Sequence, residues 1–311
     1  MHGGLMKTCF LFPGQGAQFP GMAKDFFETS KAVRTLFQTA SEAASMDLKK
    51  LLFESDEETL RQTKNTQIAM VTAEAAAALS AKEHGIQPAG AAGFSVGEWA
   101  ALAEAGVISL YDMFRLVAER GRLMDEAGNR SGGSTMSAVL YLSPEKIEQV
   151  IQEAGLEHCW IANYNSPTQC VISGTETDIA IAEEKLRQAG AKRVIRLKVS
   201  GAFHSPLMQE AYEAFKEIVD ATPFSDPKIS LYSNVTGQKI HSGEEAKRYA
   251  SLQIISPVRW IDEEANITAD GFDQCLETGP GNVLTGLWKA FGSPIPCIAA
   301  GTLDAIVSFS L

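Results

Sequence analysis

The segment Gly-Phe-Ser-Val-Gly at residues 93–97 is the feature that most constrains how this chain can fold. It matches the pattern Gly-x-Ser-x-Gly, in which small residues allow a strand to turn sharply into a helix and expose the serine oxygen. The pattern alone is weak, because a chain of 311 residues contains it by chance roughly one time in ten. Whether Ser95 is a nucleophile therefore depends on the rest of the chain.

Short apolar runs and amphipathic segments alternate along most of the chain, which predicts an α/β fold with short, mostly parallel strands. Strands are predicted at 8–12, 229–232, 272–277 and 296–299, and helices at 30–44, 48–53, 65–84, 96–105, 109–127, 206–220, 258–265 and 283–291. The segment 88–93 is too poor in branched residues to be assigned as a strand, although its small residues would allow close packing beneath Ser95.

A linker-like stretch rich in glycine and serine, residues 128–134, separates this pattern from a second one. Strands are then predicted at 136–142, 159–162, 169–173 and 193–199, and helices at 144–154 and 178–188. The resulting order β-α-β-β-α-β is that of a ferredoxin-like unit. We therefore expect a core formed by residues 1–130 and 199–311 and a ferredoxin-like subdomain at 131–198.

A nucleophilic serine needs a base, and His204 is the best candidate among five histidines. It is predicted to follow a strand that ends near residue 199 and to precede a helix that begins at Ser205-Pro206. Ser95 and His204 would then both lie on loops at the carboxyl ends of strands, where open α/β sheets form their active crevices. The helix N-terminus would keep His204 neutral. The alternative interpretation is a histidine that only caps or packs.

Arg120 lies on the apolar face of a predicted helix, at the spacing of one stripe with Met113, Leu116, Val117 and Met124. A buried guanidinium is costly unless an anion meets it, and its planar shape suits a carboxylate. Arg115 and Arg122 fall on the opposite side of the helix. The spacing alone equally allows an arginine that extends to solvent or pairs with a structural acid.

The loop Pro13-Gly-Gln-Gly16 follows the first predicted strand. Its backbone N–H groups could bind an oxyanion together with the N–H of Val96, the residue after the serine. Taken alone, the loop is also compatible with a simple turn.

Composition excludes several classes of function. A net charge of −11 argues against a nucleic-acid binder, which needs a basic face. Five scattered cysteines without ligand spacing predict free thiols in a reducing cytoplasm and no metal site. The sequence contains no uncharged apolar run long enough to cross a membrane and no apolar run typical of a signal peptide near its first residue, so we expect a cytoplasmic protein.

With these residues in view, the chain resembles the malonyl-CoA:acyl carrier protein transacylases, the acyltransferases of fatty acid and polyketide synthesis. The resemblance covers nearly the whole chain and rests on eight motifs in the same order. These are LFPGQGAQFPGM at 11–22, NTQIAM at 65–70, GFSVGEWAAL at 93–102, RGRLM at 120–124, ANYNSPTQCVISG at 162–174, GAFHSPLM at 201–208, QIISPVRW at 253–260 and ETGPGNVLTGL at 277–287.

The resemblance implies an α/β-hydrolase-like core and a role for each matching residue. Ser95 would carry the malonyl group as an ester, and His204 would be its base, held by the backbone carbonyl of Gln253. The N–H groups of Gln15 and Val96 would form the oxyanion hole, and Arg120 would pair with the malonyl carboxylate. Three further positions match residues near the substrate: Phe203, which would crowd a 2-methyl group, Asn163 and Gln67.

The resemblance also implies the partners: malonyl-CoA, and an acidic acyl carrier protein that brings its own phosphopantetheine arm, with no further cofactor. Docking of that carrier is expected near basic residues, namely Lys192, Arg193, Arg196 and Lys198, or Arg122 and Arg130. We expect a monomer. The alternative functions are a serine hydrolase or thioesterase acting on acyl thioesters, and a non-catalytic module that binds carrier proteins.

The chain departs from the family at one position, since many members have His directly before the nucleophile and this chain has Phe94. The base is assigned to His204, so the chemistry should survive. A polar group beside the serine is lost, which bears on selectivity among acyl groups.

Overall fold

A computed structural model describes residues 6–130 and 132–310 as a mixed α/β protein with one parallel and one antiparallel sheet. The strands in chain order are β1 Thr8–Phe12, β2 Pro88–Gly93, β3 Ser134–Leu140, β4 Cys159–Ser166, β5 Gln169–Thr175, β6 Arg193–Arg196, β7 Ser230–Leu231, β8 Gln274–Glu277 and β9 Cys297–Ala299. The helices are α1 Lys24–Thr29, α2 Lys31–Ala44, α3 Leu48–Glu54, α4 Glu57–Arg61, α5 Thr63–Glu83, α6 Gly97–Glu104, α7 Leu110–Arg130, α8 Pro144–Glu153, α9 Glu176–Gln188, α10 Gln209–Asp220, α11 Gly243–Leu252, α12 Trp260–Ala269, α13 Val283–Phe291 and α14 Leu303–Ser310.

The parallel sheet has the strand order β7-β2-β1-β8-β9, and every neighbouring pair runs parallel. All five residues of β1 are buried, which explains its continuous apolar sequence, because helices cover both faces of such a sheet. The small residues of β2 complete a strand that sequence pattern left unassigned. Strand β2 therefore delivers Ser95 to the carboxyl edge of this sheet.

The antiparallel sheet has the order β4-β5-β3-β6 and carries helices α8 and α9. It has a separate apolar core that includes Val139, Ile147, Ile161, Ile172 and Ile179. The predicted β-α-β-β-α-β order of elements is confirmed. Residues 1–5, 131 and 311, which the expected domain bounds include, lie outside the described residues.

One part of the placement of His204 is wrong. Strand β6 ends at Arg196, not near residue 199, and it belongs to the antiparallel sheet. The Leu197 N–H still donates to the Met136 carbonyl oxygen of β3 at 2.9 Å, but the strand pairing ends there. Leu197 and Val199 line a cavity, which explains their apolar alternation. His204 thus reaches Ser95 from the second sheet's side of the molecule, and not from a loop of the parallel sheet.

Four helices were not predicted: α1, α4, α11 and α14. Helix α11 carries a readable signal, because Ser242 accepts a hydrogen bond from the Glu245 N–H while the Glu245 carboxylate accepts one from the His241 N–H. This pairing is a variant of the capping box, in which the carboxylate accepts from the residue before the N-cap Ser242 and not from the N-cap itself. None of the described helices combines the length and apolar composition needed to cross a membrane.

Candidate active site

Two glycines form the sharp turn from β2 into α6, hereafter the elbow (residues 93–97). A Cβ on Gly93 would lie 2.1 Å from the carbonyl carbon of Gly97, and a Cβ on Gly97 would lie 2.2 Å from the carbonyl oxygen of Phe12. No side chain fits at either position. Between them Ser95 adopts a φ of 53°, in the left-handed region that non-glycine residues rarely occupy. The two glycines of the pattern are thus required here by packing, and the serine between them is held in a strained backbone conformation.

The elbow places the Ser95 hydroxyl against a buried histidine. Ser95 Oγ lies 2.8 Å from His204 Nε2, and His204 Nδ1 lies 2.8 Å from the carbonyl oxygen of Gln253 and 3.2 Å from that of Ser256. Two carbonyl oxygens around Nδ1 favour the tautomer in which Nδ1 carries the proton. Nε2 is then free to accept the proton of the Ser95 hydroxyl.

Burial lowers the pKa of His204 to about 4, and the positive charge of Arg120 acts in the same direction. The carbonyl groups of Gln253 and Ser256 oppose the shift but do not cancel it. The sequence predicts a neutral His204 because of a helix N-terminus, whereas in the structure burial and Arg120 are the causes. The segment that follows starts as a 3-10 turn, Pro206–Met208, and continues directly into α10.

Arg120 is 0% exposed, so the alternative in which its side chain reaches solvent is wrong. Its Nη1 donates to Gln67 Oε1 at 2.5 Å and its Nη2 donates to Gln253 Oε1 at 2.8 Å. Among the described residues it makes no ion pair, and its buried Nε has no hydrogen-bond partner. Two neutral amides therefore orient the guanidinium and leave its charge available to an anion.

One cavity of about 320 Å³ brings together most of the residues selected from the sequence. Its lining includes eight of them: Gln15, Gln67, Ser95, Val96, Arg120, Asn163, Phe203 and His204. Gln253 does not line the cavity and acts from behind Arg120 and His204 through the contacts above. The antiparallel sheet supplies the opposite wall, with Met136 and Ala138 on β3, Asn165 on β4 and Val171 on β5, none of which sequence reasoning selected.

Sequence reasoning also missed a buried polar network behind the elbow. The Ser95 N–H donates to Asn234 Oδ1 at 2.7 Å, and the Ser95 carbonyl oxygen accepts from Gln253 Nε2 at 3.0 Å. Gln253 Nε2 also donates to Glu98, a buried acid whose pKa burial raises to about 8. The one signal in the sequence is the position of Asn234, just beyond a strand of the parallel sheet.

Comparison with known proteins agrees with this geometry. The acyl transferase domain family matches residues 9–292. The malonyl CoA-acyl carrier protein transacylase of Bacillus subtilis is 39% identical over 304 residues, which cover 97% of this chain and 96% of that protein. The Staphylococcus aureus (strain MSSA476) enzyme of the same name is 34% identical over 97% of this chain and 98% of its own. The chain belongs to the malonyl-CoA:acyl carrier protein transacylases.

Solved structures give the same result at the level of the fold. An acyl carrier protein S-malonyltransferase from Vibrio cholerae superposes with a TM-score of 0.93 at 34% identity, over 97% of this chain and 99% of that one. A malonyl-transacylase solved in complex with a type II polyketide synthase acyl carrier protein (PlMCAT:AntF) superposes with a TM-score of 0.92 at 33% identity, over 97% of this chain and 98% of that one.

In this transacylase the Phe94 ring packs edge-to-face against Trp260, with centroids 5.6 Å apart and planes at 66°. The aromatic pair belongs to the apolar cluster under the parallel sheet. Phe94 also lines the cavity. The residue before Ser95 is therefore fixed by apolar packing here and presents no titratable group to the cavity.

The low pKa of His204 predicts how activity of this transacylase depends on pH. His204 is neutral and able to accept a proton above about pH 4, and it becomes protonated as the pH falls through that value. We expect kcat/KM for malonyl-CoA to show its acid limb near pH 4, measured in brief assays after a pH jump. In assays with acetyl-CoA, Arg120→Ala should show its acid limb at a higher pH than the unchanged enzyme, because the positive charge that lowers the pKa of His204 is gone. An acid limb at the ordinary histidine value of 6.5 in the unchanged enzyme would contradict this assignment.

Proposed function

We propose that this chain transfers a malonyl group from malonyl-CoA to the phosphopantetheine thiol of an acyl carrier protein through a malonyl ester on Ser95. The observation that carries this proposal is that one cavity of about 320 Å³ contains both a hydrogen-bonded Ser95–His204 pair and a buried Arg120 that makes no ion pair with any described residue. Ser95 and His204 supply a nucleophile and its base, and Arg120 supplies a positive charge complementary to the free carboxylate of malonate.

In the first half-reaction, Ser95 Oγ attacks the thioester carbonyl while its proton moves to His204 Nε2. The carbonyl of Gln253 stabilises the imidazolium through its contact with Nδ1. The N–H groups of Gln15 and Val96 bind the oxyanion, since the N–H of Ser95 is already bound to Asn234. Collapse of the intermediate breaks the C–S bond, and His204 returns its proton to the CoA thiolate.

In the second half-reaction, His204 takes the proton of the carrier protein's phosphopantetheine thiol, which attacks the malonyl ester. A second tetrahedral intermediate collapses, the C–O bond to Ser95 breaks, and Ser95 recovers its proton from His204. Arg120 binds the free carboxylate of the malonyl ester and so fixes the ester carbonyl at a position that the thiol reaches and water does not. Transfer is then favoured over hydrolysis.

Substrate selection in this proposal follows from the lining of the cavity. Gln67 and Gln253 orient Arg120 toward a carboxylate, because their amide oxygens hold its two Nη groups. Phe203 and Asn163 lie around the same space. Phe203 limits the room for a 2-methyl group, which favours malonyl over methylmalonyl substrates.

We also propose that the core is α/β-hydrolase-like and spans residues 1–130 and 199–311, with a ferredoxin-like subdomain at 131–198. The strand order β4-β5-β3-β6, antiparallel throughout, supports the ferredoxin-like assignment, because β-α-β-β-α-β units pair their strands in this way. The elbow after β2 supports the hydrolase-like assignment.

The proposed reaction uses groups of this chain and of its substrates and needs no cofactor. All five cysteines are free thiols, and four of them are buried. This supports a reducing compartment, and we propose the cytoplasm.

An acidic carrier protein is proposed to dock beside the antiparallel sheet. Of the basic residues named above, Arg122, Arg130 and Arg196 already pair with acids: Glu119 and Glu126, Glu126 and Glu210, and Glu176 and Glu183 respectively. Lys192, Arg193 and Lys198 form no ion pair among the described residues. Their charges are the ones available to a partner.

Intact mass spectrometry tests the proposed function. The protein is mixed with malonyl-CoA and then with a phosphopantetheinylated carrier protein, alongside Ser95→Ala. We expect one malonyl adduct on the unchanged protein, none on Ser95→Ala, and passage of the malonyl group to the carrier. An adduct that decays to free malonate without transfer would instead identify a hydrolase, and no adduct with any acyl-CoA would identify a carrier-binding module.

A further inference from the structure

The strained backbone of Ser95 is held by side chains on both of its polar groups. Its φ of 53° is unusual for a residue with a side chain. Asn234 Oδ1 accepts from the Ser95 N–H, and Gln253 Nε2 donates to the Ser95 carbonyl oxygen. A conformation of this kind persists only where the surroundings impose it.

The Asn234 amide spans the turn. Its Nδ2 donates to the Gly93 carbonyl oxygen at 2.6 Å, and its Oδ1 accepts from the Ser95 N–H at 2.7 Å. The two peptide groups lie on either side of Phe94. One rigid amide plane therefore binds the chain before and after the residue at which it turns.

The hydrogen-bonding capacity of this amide is almost fully used. Nδ2 also donates to Glu263 Oε1 at 2.7 Å, and Oδ1 lies 3.2 Å from Gln253 Nε2, whose two hydrogens are shared among three acceptors. An asparagine side chain offers two donors and two acceptor positions, and both donors and one acceptor position are occupied here, while the second acceptor position faces this shared donor. Asn234 is wholly buried, so no water competes for them.

The backbone of Asn234 is held as firmly as its side chain. Its N–H donates to Glu98 Oε1 at 3.4 Å, and its carbonyl oxygen accepts from the Arg259 N–H at 2.9 Å. It lies just beyond β7, an edge strand of the parallel sheet that pairs with β2. Strand β7, which precedes Asn234, and strand β2, which leads into the elbow, are thus directly hydrogen-bonded.

We propose that Asn234 is a positioning residue of the acyl transfer: it holds the peptide groups of Gly93 and Ser95 so that the serine hydroxyl meets His204. Because it occupies the Ser95 N–H, it also leaves the next amide, that of Val96, as the oxyanion donor on this loop. Asn234 does not line the cavity and acts only through Ser95. This inference rests on the proposed function.

The test compares Asn234→Leu with Asn266→Leu. Leucine has a similar shape and no polar atoms. Asn266, on α12, donates to the carbonyl oxygens of Gly237 and Asp262 and has no hydrogen bond to the elbow. Its replacement by leucine therefore removes two side-chain hydrogen bonds without affecting Ser95, which makes it a matched control. We expect Asn234→Leu to lower the rate constant of malonyl-enzyme formation about 100-fold with an unchanged KM for malonyl-CoA. Asn266→Leu should lower only the melting temperature.

A second pair of variants keeps the test decisive if Asn234→Leu does not fold. Asn234→Asp keeps an acceptor for the Ser95 N–H but places a carboxylate against Glu263. Adding Glu263→Gln restores a hydrogen bond between the two side chains with donor and acceptor exchanged. We expect the double variant to form malonyl-enzyme at least about tenfold faster than Asn234→Asp alone, because the acceptor is again held in place.

The outcomes separate this inference from the proposed function. If the unchanged protein forms no malonyl-enzyme, the proposed function fails and the positioning role falls with it. The inference alone is overturned if the unchanged protein is acylated and Asn234→Leu is acylated equally fast. It is also overturned if Asn234→Leu raises the KM for malonyl-CoA and leaves the rate constant of acylation unchanged. Equal rates in Asn234→Asp and its double variant would also overturn it.

Discussion

Replacing His204 with alanine is expected to slow formation of the malonyl-enzyme about 10⁴- to 10⁶-fold. The Ser95 hydroxyl has one base within reach, His204 Nε2 at 2.8 Å, and its proton has no other acceptor at that distance among the described residues. Binding of malonyl-CoA should persist, because Arg120 and its amide partners are untouched. Rapid-quench measurement of acyl-enzyme formation under single-turnover conditions provides the rate constant.

His84→Ala is a matched control for this change. His84 also places Nδ1 2.8 Å from a backbone carbonyl oxygen, that of Ser80, but it lies at the end of α5, away from the cavity. Its replacement should leave the acylation rate unchanged. A loss of less than about tenfold in His204→Ala would show that another group serves as the base.

Arg120→Ala is expected to lower kcat/KM for malonyl-CoA by about 10² to 10⁴, as for a buried, hydrogen-bonded ion pair that has lost one partner. The kcat/KM for uncharged acyl groups should rise, because the cavity no longer contains a buried cation that such groups cannot pair with. The ratio of kcat/KM for malonyl-CoA to that for acetyl-CoA therefore measures the role of Arg120 directly.

Arg122→Ala is the control on the same helix. Its guanidinium is exposed and pairs with Glu119 and Glu126, so its loss should change neither substrate's kcat/KM. If folded Arg120→Ala keeps the same ratio of kcat/KM for malonyl-CoA to that for acetyl-CoA, Arg120 does not bind the malonyl carboxylate.

Features that depend on neighbours in the chain were predictable from the sequence. The spacing of Arg120 among apolar residues placed it on the inward face of α7, and the structure buries it completely. The glycine pattern placed Ser95 on a turn between a strand and a helix, as found. Helix and strand periodicity act over a few residues, so such patterns are visible without knowledge of the fold.

Contacts between distant parts of the chain were decided only by the tertiary structure. Residues 193–199 were predicted as one strand, yet β6 ends at Arg196, and Leu197 and Val199 line the cavity. The low pKa of His204 arises from burial and from Arg120, neither of which is visible in the residues beside it.

Patterns in the sequence predicted the elbow, most of the strands and helices and the inward arginine, and the family resemblance selected Ser95 and His204 as the candidate acyl-transfer pair. The tertiary structure decided what holds that pair in place. Ser95 and Asn234 are 139 residues apart and are joined by a hydrogen bond of 2.7 Å from the Ser95 N–H to Asn234 Oδ1. No periodic pattern encodes such a bond, because it depends on which strands pair and on how closely their ends approach.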